Sequence, residues 1–143
     1  MFGDSITQYS MKAEPLGWGT LLAESYTSVY RSADIVNRGF SGYNTRWALL
    51  ILPKLEEELR GLSERVGIIT LLLGSNDAAT STHRQHVPID EFRSNLLALV
   101  SGLRAAFPNA TLVLITPPPV NKVAWDAERG GCGDRTPDRA RGD

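Results

Sequence analysis

The chain has 143 residues, of which 42% are hydrophobic and 22% charged, and its formal net charge is -1. That length gives one domain with its own hydrophobic core, and the composition excludes a chain that cannot fold. A charge so close to zero excludes bulk electrostatic attraction to nucleic acid or to an anionic membrane.

Met1-Phe2-Gly3-Asp4-Ser5-Ile6-Thr7-Gln8 opens the chain and sets a serine just after a Gly-Asp turn. In an α/β fold such a turn sits at the carboxyl end of a strand. Here that strand is reduced to Met1-Phe2, so the first strand of the sheet is expected to be missing. Residues 17–30 carry Trp18, Leu21, Leu22, Tyr26 and Val29 at helical spacing, which predicts a first helix packed on a sheet. Residues 33–37 form a short strand candidate, and residues 40–44 a Gly/Ser/Asn turn. Residues 45–62 read as a helix with Trp47, Leu50, Ile51, Leu55 and Leu59 on one side, kinked or restarted at Pro53.

The β-branched and leucine run over 66–73 predicts a strand buried on both faces, and hence a parallel sheet. It is far too short to cross a bilayer. Gly74-Ser75-Asn76-Asp77 turns out of it into a polar loop over 78–88. Residues 89–107 are the clearest helix, with a stripe of Ile89, Phe92, Leu96, Leu99, Val100 and Leu103 and with Asp90 and Glu91 at its positive end. Residues 110–116 predict a second buried strand, ended by Pro117-Pro118-Pro119. Beyond Trp125, residues 126–143 contain no Leu, Ile, Val or aromatic residue and are expected to be disordered. Strands alternating with helices indicate an α/β layer fold with a parallel sheet and helices on both faces. No strand–helix unit follows the triple proline, so the last βα unit is also expected to be missing.

Gly42 follows one strand candidate and Asn76 follows another, and both strands should run parallel to the one that delivers Ser5. Turns at the carboxyl ends of parallel strands gather along one edge of the sheet, where ligands bind. Read alone, Gly42 is a turn glycine and Asn76 a capping residue. Their shared order and spacing point to a site instead. Ser5 supplies a hydroxyl that becomes a nucleophile only with a base to take its proton. The Ser5 and Gly42 backbone N–H groups and the Asn76 side-chain amide would then be the donors of an oxyanion hole.

Gly3-Asp4-Ser5-Ile6-Thr7-Gln8, Gly42 and Gly74-Ser75-Asn76-Asp77, in that order, resemble the GDSL (SGNH) hydrolase superfamily of esterases and lipases. Gln85-His86-Val87-Pro88 before a helix, and Ile115-Thr116-Pro117-Pro118-Pro119 after a strand, resemble its isoamyl acetate-hydrolysing esterase subfamily. The resemblance covers residues 1–125 and leaves 126–143 as a non-family tail. It implies a three-layer α/β/α sandwich with flavodoxin-like strand order. It makes Ser5 the nucleophile, and Ser5, Gly42 and Asn76 the oxyanion donors. The implied partner is a small-molecule ester, such as an acetate of a small alcohol.

The resemblance also implies an Asp-x-x-His block, whose histidine is the base for the serine. The 143 residues contain none, and their histidines, His83 and His86, stand in the polar loop after Asn76. Esterase activity is therefore expected to be impaired. The alternative is a non-catalytic form that binds ester or acyl ligands. No glycine-rich nucleotide motif and no Cys/His cluster is present, so no cofactor, metal, nucleic acid or membrane partner is expected. The single cysteine, Cys132, excludes an intrachain disulfide, and no signal peptide is visible, which together suggest the cytoplasm.

Overall fold

A computed structural model describes residues 1–30 and 33–121. The expected tail at 126–143 and Cys132 lie outside the described residues. Among the described residues four strands, β1 (Phe2–Gly3), β2 (Arg38–Gly39), β3 (Ile68–Leu72) and β4 (Thr111–Ile115), form one all-parallel sheet in the order β2-β1-β3-β4. This 2-1-3-4 order is the flavodoxin-like arrangement, in which the chain reverses direction across the sheet beside β1. The strand expected to be missing is thus present as two residues, and it is central. Phe2 pairs with Arg38 on one side and Leu71 on the other, and Gly3 with Gly39 and Leu72.

The second strand lies at Arg38–Gly39 and not at 33–37. Two paired residues carry no side-chain periodicity, so backbone bonds define this strand: Arg38 N–H donates to Met1 O (2.8 Å) and Phe40 N–H to Gly3 O (2.8 Å). Asn37, just before it, turns its side chain back to Thr7 O (2.8 Å) and Gly39 N–H (2.9 Å).

The helices are α1 (Ser5–Gln8), α2 (Trp18–Val29), α3 (Thr45–Leu59) and α4 (Ile89–Ala106). Asn44 caps α3 by accepting from Trp47 N–H (3.0 Å), and α3 runs through Pro53 without dividing. It then tightens into a 3-10 turn at Arg60–Arg65. Helices α3 and α4 pack against each other so closely at Gly102 that an added Cβ would lie 2.7 Å from Leu52 Cδ2. Together they cover one face of the sheet. Ala48, Leu52 and Leu55 from α3 and Leu99 and Leu103 from α4 meet Phe2, Ile69, Leu71 and Leu73 in the buried core. The period-2 pattern of β3 puts Ile69 and Leu71 on this face, and Leu73, just past the strand's end, continues it.

Two further expectations need correction. Helix α2 packs on the 3-10 turn Tyr9–Met11, where a Cβ on Gly19 would fall 2.4 Å from Ser10 Oγ, while its Leu21 and Val29 are exposed. Strand β4 is not buried: Val113 and Leu114 are exposed, because β4 is the edge strand among the described residues. No described helix is long and apolar enough to cross a membrane.

Candidate active site

The register of the sheet places the candidate residues. Gly3, Gly39 and Leu72 are level across three neighbouring strands. Ser5, Gly42 and Asn76 therefore follow two, three and four residues beyond one common edge. Each is carried on a turn with a definite local cause.

Ser5 opens α1. Asp4 caps this short helix by accepting from Ile6 N–H (2.9 Å), and Gln8 N–H closes the turn on Asp4 O (2.9 Å). Ser5 is the first helical residue, so its N–H has no intrahelical carbonyl to meet. The Trp18 indole N–H donates to Ile6 O (3.2 Å) and braces the turn from outside. Helix α1 can lie this close to the sheet because residue 39 is glycine: a Cβ there would come within 2.0 Å of Gln8 N.

Gly42 is the third residue of a turn closed by Tyr43 N–H on Phe40 O (3.1 Å), with φ of 82°. A positive φ at that place is the demand of a type II turn and favours glycine. Asn76 follows Gly74, whose φ is 125°, out of the end of β3.

Pairwise bonds tie the three turns together. Ser41 N–H donates to Gln8 Oε1 (2.5 Å), joining the Gly42 turn to α1. Asn76 Nδ2 donates to Tyr43 O (2.8 Å), joining the β3 turn to the Gly42 turn. Asp4 N–H donates to Leu72 O (3.3 Å), joining the end of β3 to the Ser5 turn. Beneath them, Asp77 Oδ1 accepts from Thr45 N–H (2.9 Å) and from the Thr45 hydroxyl (2.5 Å), which seats the start of α3. Asp4 and Asp77 are both buried. Burial first, and then the charge of Asp77, push the Asp4 carboxyl up to about 6 against the hydrogen bond from Ile6 N–H that favours its charged form.

The loop 78–88 contributes a residue that the sequence reading assigned no task. Gln85 Nε2 donates to Gly42 O (2.6 Å) and to Asn76 Oδ1 (3.1 Å), and Gln85 O accepts from Asn44 Nδ2 (2.9 Å). The only advance signal was its place in Gln85-His86-Val87-Pro88, just ahead of α4. The loop is held against the helices by Arg46, which bridges Glu91 and donates to His86 O (3.2 Å).

The two histidines are set differently. His83 Nδ1 accepts from Gln85 N–H (3.3 Å), which consumes a lone pair. His86 Nδ1 faces Ala79 O (2.7 Å), and a carbonyl only accepts, so Nδ1 carries a hydrogen. Among the described residues, no three His, Cys, Asp or Glu side chains are grouped closely enough to hold a metal ion.

Residues 1–139 match the model of the GDSL-like lipase/acylhydrolase family. Among similar curated proteins, isoamyl acetate-hydrolyzing esterase 1 homolog from Rattus norvegicus is 46% identical over 131 residues, covering 90% of this chain and 50% of its own length. Isoamyl acetate-hydrolyzing esterase from Saccharomyces cerevisiae is 34% identical over 136 residues, covering 90% of this chain and 53% of its own length. The chain thus spans about half the length of the curated relatives it matches. Among solved structures, a catalytic mutant of Axe2, an acetylxylan esterase from Geobacillus stearothermophilus, superposes with a TM-score of 0.55 at 23% identity. That match covers 78% of this chain and 56% of the other, and it supports the α/β fold described above.

Proposed function

Because this chain belongs to the GDSL-like lipase/acylhydrolase family, we propose that it carries the nucleophile and the oxyanion donors of a carboxylic-ester hydrolase. The observation that supports this reading is the pairwise tethering, at one sheet edge, of the three turns that carry Ser5, Gly42 and Asn76. In the proposed reaction, Ser5 Oγ attacks the ester carbonyl carbon as its proton passes to a base. The carbonyl oxygen gains the negative charge and is met by the N–H groups of Ser5 and Gly42 and by an amide hydrogen of Asn76. Tyr43 O takes one of the two Asn76 hydrogens, and the other serves the oxyanion. The alcohol departs, and water releases the acid from the acyl-serine.

The names of the relatives support short-chain esters, such as acetates of small alcohols, as substrates. The partner is then a small-molecule ester, and a cytoplasmic setting suits a chain with one cysteine.

The 143 residues hold no Asp-x-x-His. Oxyanion donors and binding without the base retain only about 10³–10⁴ over the uncatalysed rate. On this reading the 143 residues alone are expected to hydrolyse esters feebly. The second reading is a form that binds esters without cleaving them.

Assay of the 143-residue protein on a chromogenic acetate ester, beside Ser5→Ala, separates the two. A rate above that of Ser5→Ala is expected. Equal rates would leave only the binding reading. A rate that rises with pH near neutrality and is lost in His86→Gln would make His86 Nε2 the base.

A further inference from the structure

We propose that Gln85 is a positioning residue for the oxyanion hole, using both hydrogens of its side-chain amide to set the orientation of the Asn76 amide and the seat of Gly42. This rests on the hydrolase reading for its catalytic consequence, and on geometry alone for the positioning itself.

A primary amide has two N–H donors and no more. Gln85 spends them on Gly42 O and Asn76 Oδ1, which belong to the two turns that follow β2 and β3. The side chain is itself buried, at 9% exposed, and its backbone carbonyl is held by Asn44. Gln85 is therefore anchored at both ends.

The effect on Asn76 is directional. Its amide could lie either way round if only its shape mattered. A donor at Oδ1 and an acceptor, Tyr43 O, at Nδ2 together select one orientation. In that orientation the NH2 end stays with the turn that carries Gly42. Reversed, Asn76 would turn a carbonyl oxygen toward Tyr43 O, and the hole would lose a donor.

The effect on Gly42 is positional. Its carbonyl is drawn to Gln85, and a Cβ on Gly42 would lie 3.3 Å from Gln85 Nε2. The left-handed residue is therefore fitted against the glutamine, not merely turned near it. None of these contacts touches a reacting atom, so Gln85 acts through Gly42 and Asn76.

Two substitutions separate positioning from bulk. Gln85→Leu keeps the size and removes both donors. Gln85→Glu presents two acceptors to two acceptors while charged, and regains one donor when protonated. Loss of a single oxyanion donor costs about 10²–10³ in kcat. Misalignment is expected to cost about 10–100-fold in kcat on the chromogenic acetate, with KM within about twofold, since the oxyanion exists only in the transition state. The Gln85→Glu deficit should shrink as pH falls through the carboxyl range, while the Gln85→Leu deficit stays constant. Losses carried by KM, or unchanged kcat in both variants, would overturn the proposal.

If wild type does not exceed Ser5→Ala, the hydrolase reading fails and the positioning is read by NMR. The Asn76 side-chain NH2 pair in ¹⁵N-labelled protein is assigned by its loss in Asn76→Asp. A shifted or exchange-broadened pair in Gln85→Leu is expected, in protein that still shows native thermal unfolding. If Gln85→Leu does not fold, Gln85→Glu is read the same way at low pH against high pH. An Asn76 pair indifferent to the variant, or to pH in Gln85→Glu, overturns the proposal whatever the activity.

Discussion

Asp4 and Asp77 bring two buried carboxylates into electrostatic contact under the candidate site, one residue before Ser5 and one residue after Asn76. Each also holds a helix start: Asp4 takes Ile6 N–H in α1, and Asp77 takes Thr45 N–H in α3. The same two side chains thus fix the turns that present the candidate residues and confine charge that burial disfavours.

A pH dependence of stability follows. Asp4 ionises near 3.8 in an unfolded chain and at about 6 in the fold. Between those values the folded state binds more protons, so stability falls as pH rises through that window and the loss is complete above it. A raise of this size corresponds to a cost of up to about 3 kcal/mol. Asp4→Asn, which keeps an acceptor for Ile6 N–H, is expected to resist urea better than wild type at about pH 8, with the advantage fading toward about pH 4. Parallel stability curves would contradict this.

The Asp77–Thr45 pair is expected to be strongly coupled. Hydrogen bonds to a charged group contribute about 1.5–3 kcal/mol, and a buried donor left alone costs about 1–3 kcal/mol. Asp77→Ala removes the acceptor from both the N–H and the hydroxyl of Thr45. It should cost about 3 kcal/mol or more, and Thr45→Val about 1–2 kcal/mol. In a double-mutant cycle by urea unfolding, the two should be clearly less than additive.

Three glycines make a graded series. A Cβ at Gly39 would strike the backbone of Gln8, which has no rotamer to give, so Gly39→Ala should lose about 1–3 kcal/mol. At Gly42 the left-handed φ is the obstacle, and alanine should lose about 1–2 kcal/mol. Gly61 has nothing within 4 Å of the added atom and lies in the 3-10 turn after α3, so Gly61→Ala should be neutral within about 0.5 kcal/mol. Thermal melts of the three variants give the ranking directly.

In α4, Leu99 is fully buried and Leu97, two residues before it, is 61% exposed. Leu99→Ala should cost about 2–5 kcal/mol by emptying the α3–α4–β3 junction. Leu97→Ala should stay within about 0.5 kcal/mol. Equal losses would mean that α4 presents a different face to the sheet.

The long elements were legible because burial writes a period into a sequence. The apolar run at 66–73 and the stripe at 89–107 correspond to β3 at Ile68–Leu72 and α4 at Ile89–Ala106. Strand β2 was misplaced because two residues are too few for a period, and its existence depends on where Met1 and Gly3 present their carbonyls. Strand β4 has the composition of an interior strand but edge exposure, since composition does not encode what lies beside it. The turns that carry Ser5, Gly42 and Asn76 were readable because each follows a strand. Gln85 was not, because its partners are a backbone carbonyl and an amide oxygen 43 and 9 residues away, and neither leaves a mark on local spacing.

The indole of Trp18, bonded to the carbonyl next beyond Ser5, is also a built-in optical gauge. Indole emission follows the polarity and hydrogen bonding around the ring. A molecule seating itself against the serine would change the colour or yield of the protein's own fluorescence, so occupancy can be followed in solution with no label attached.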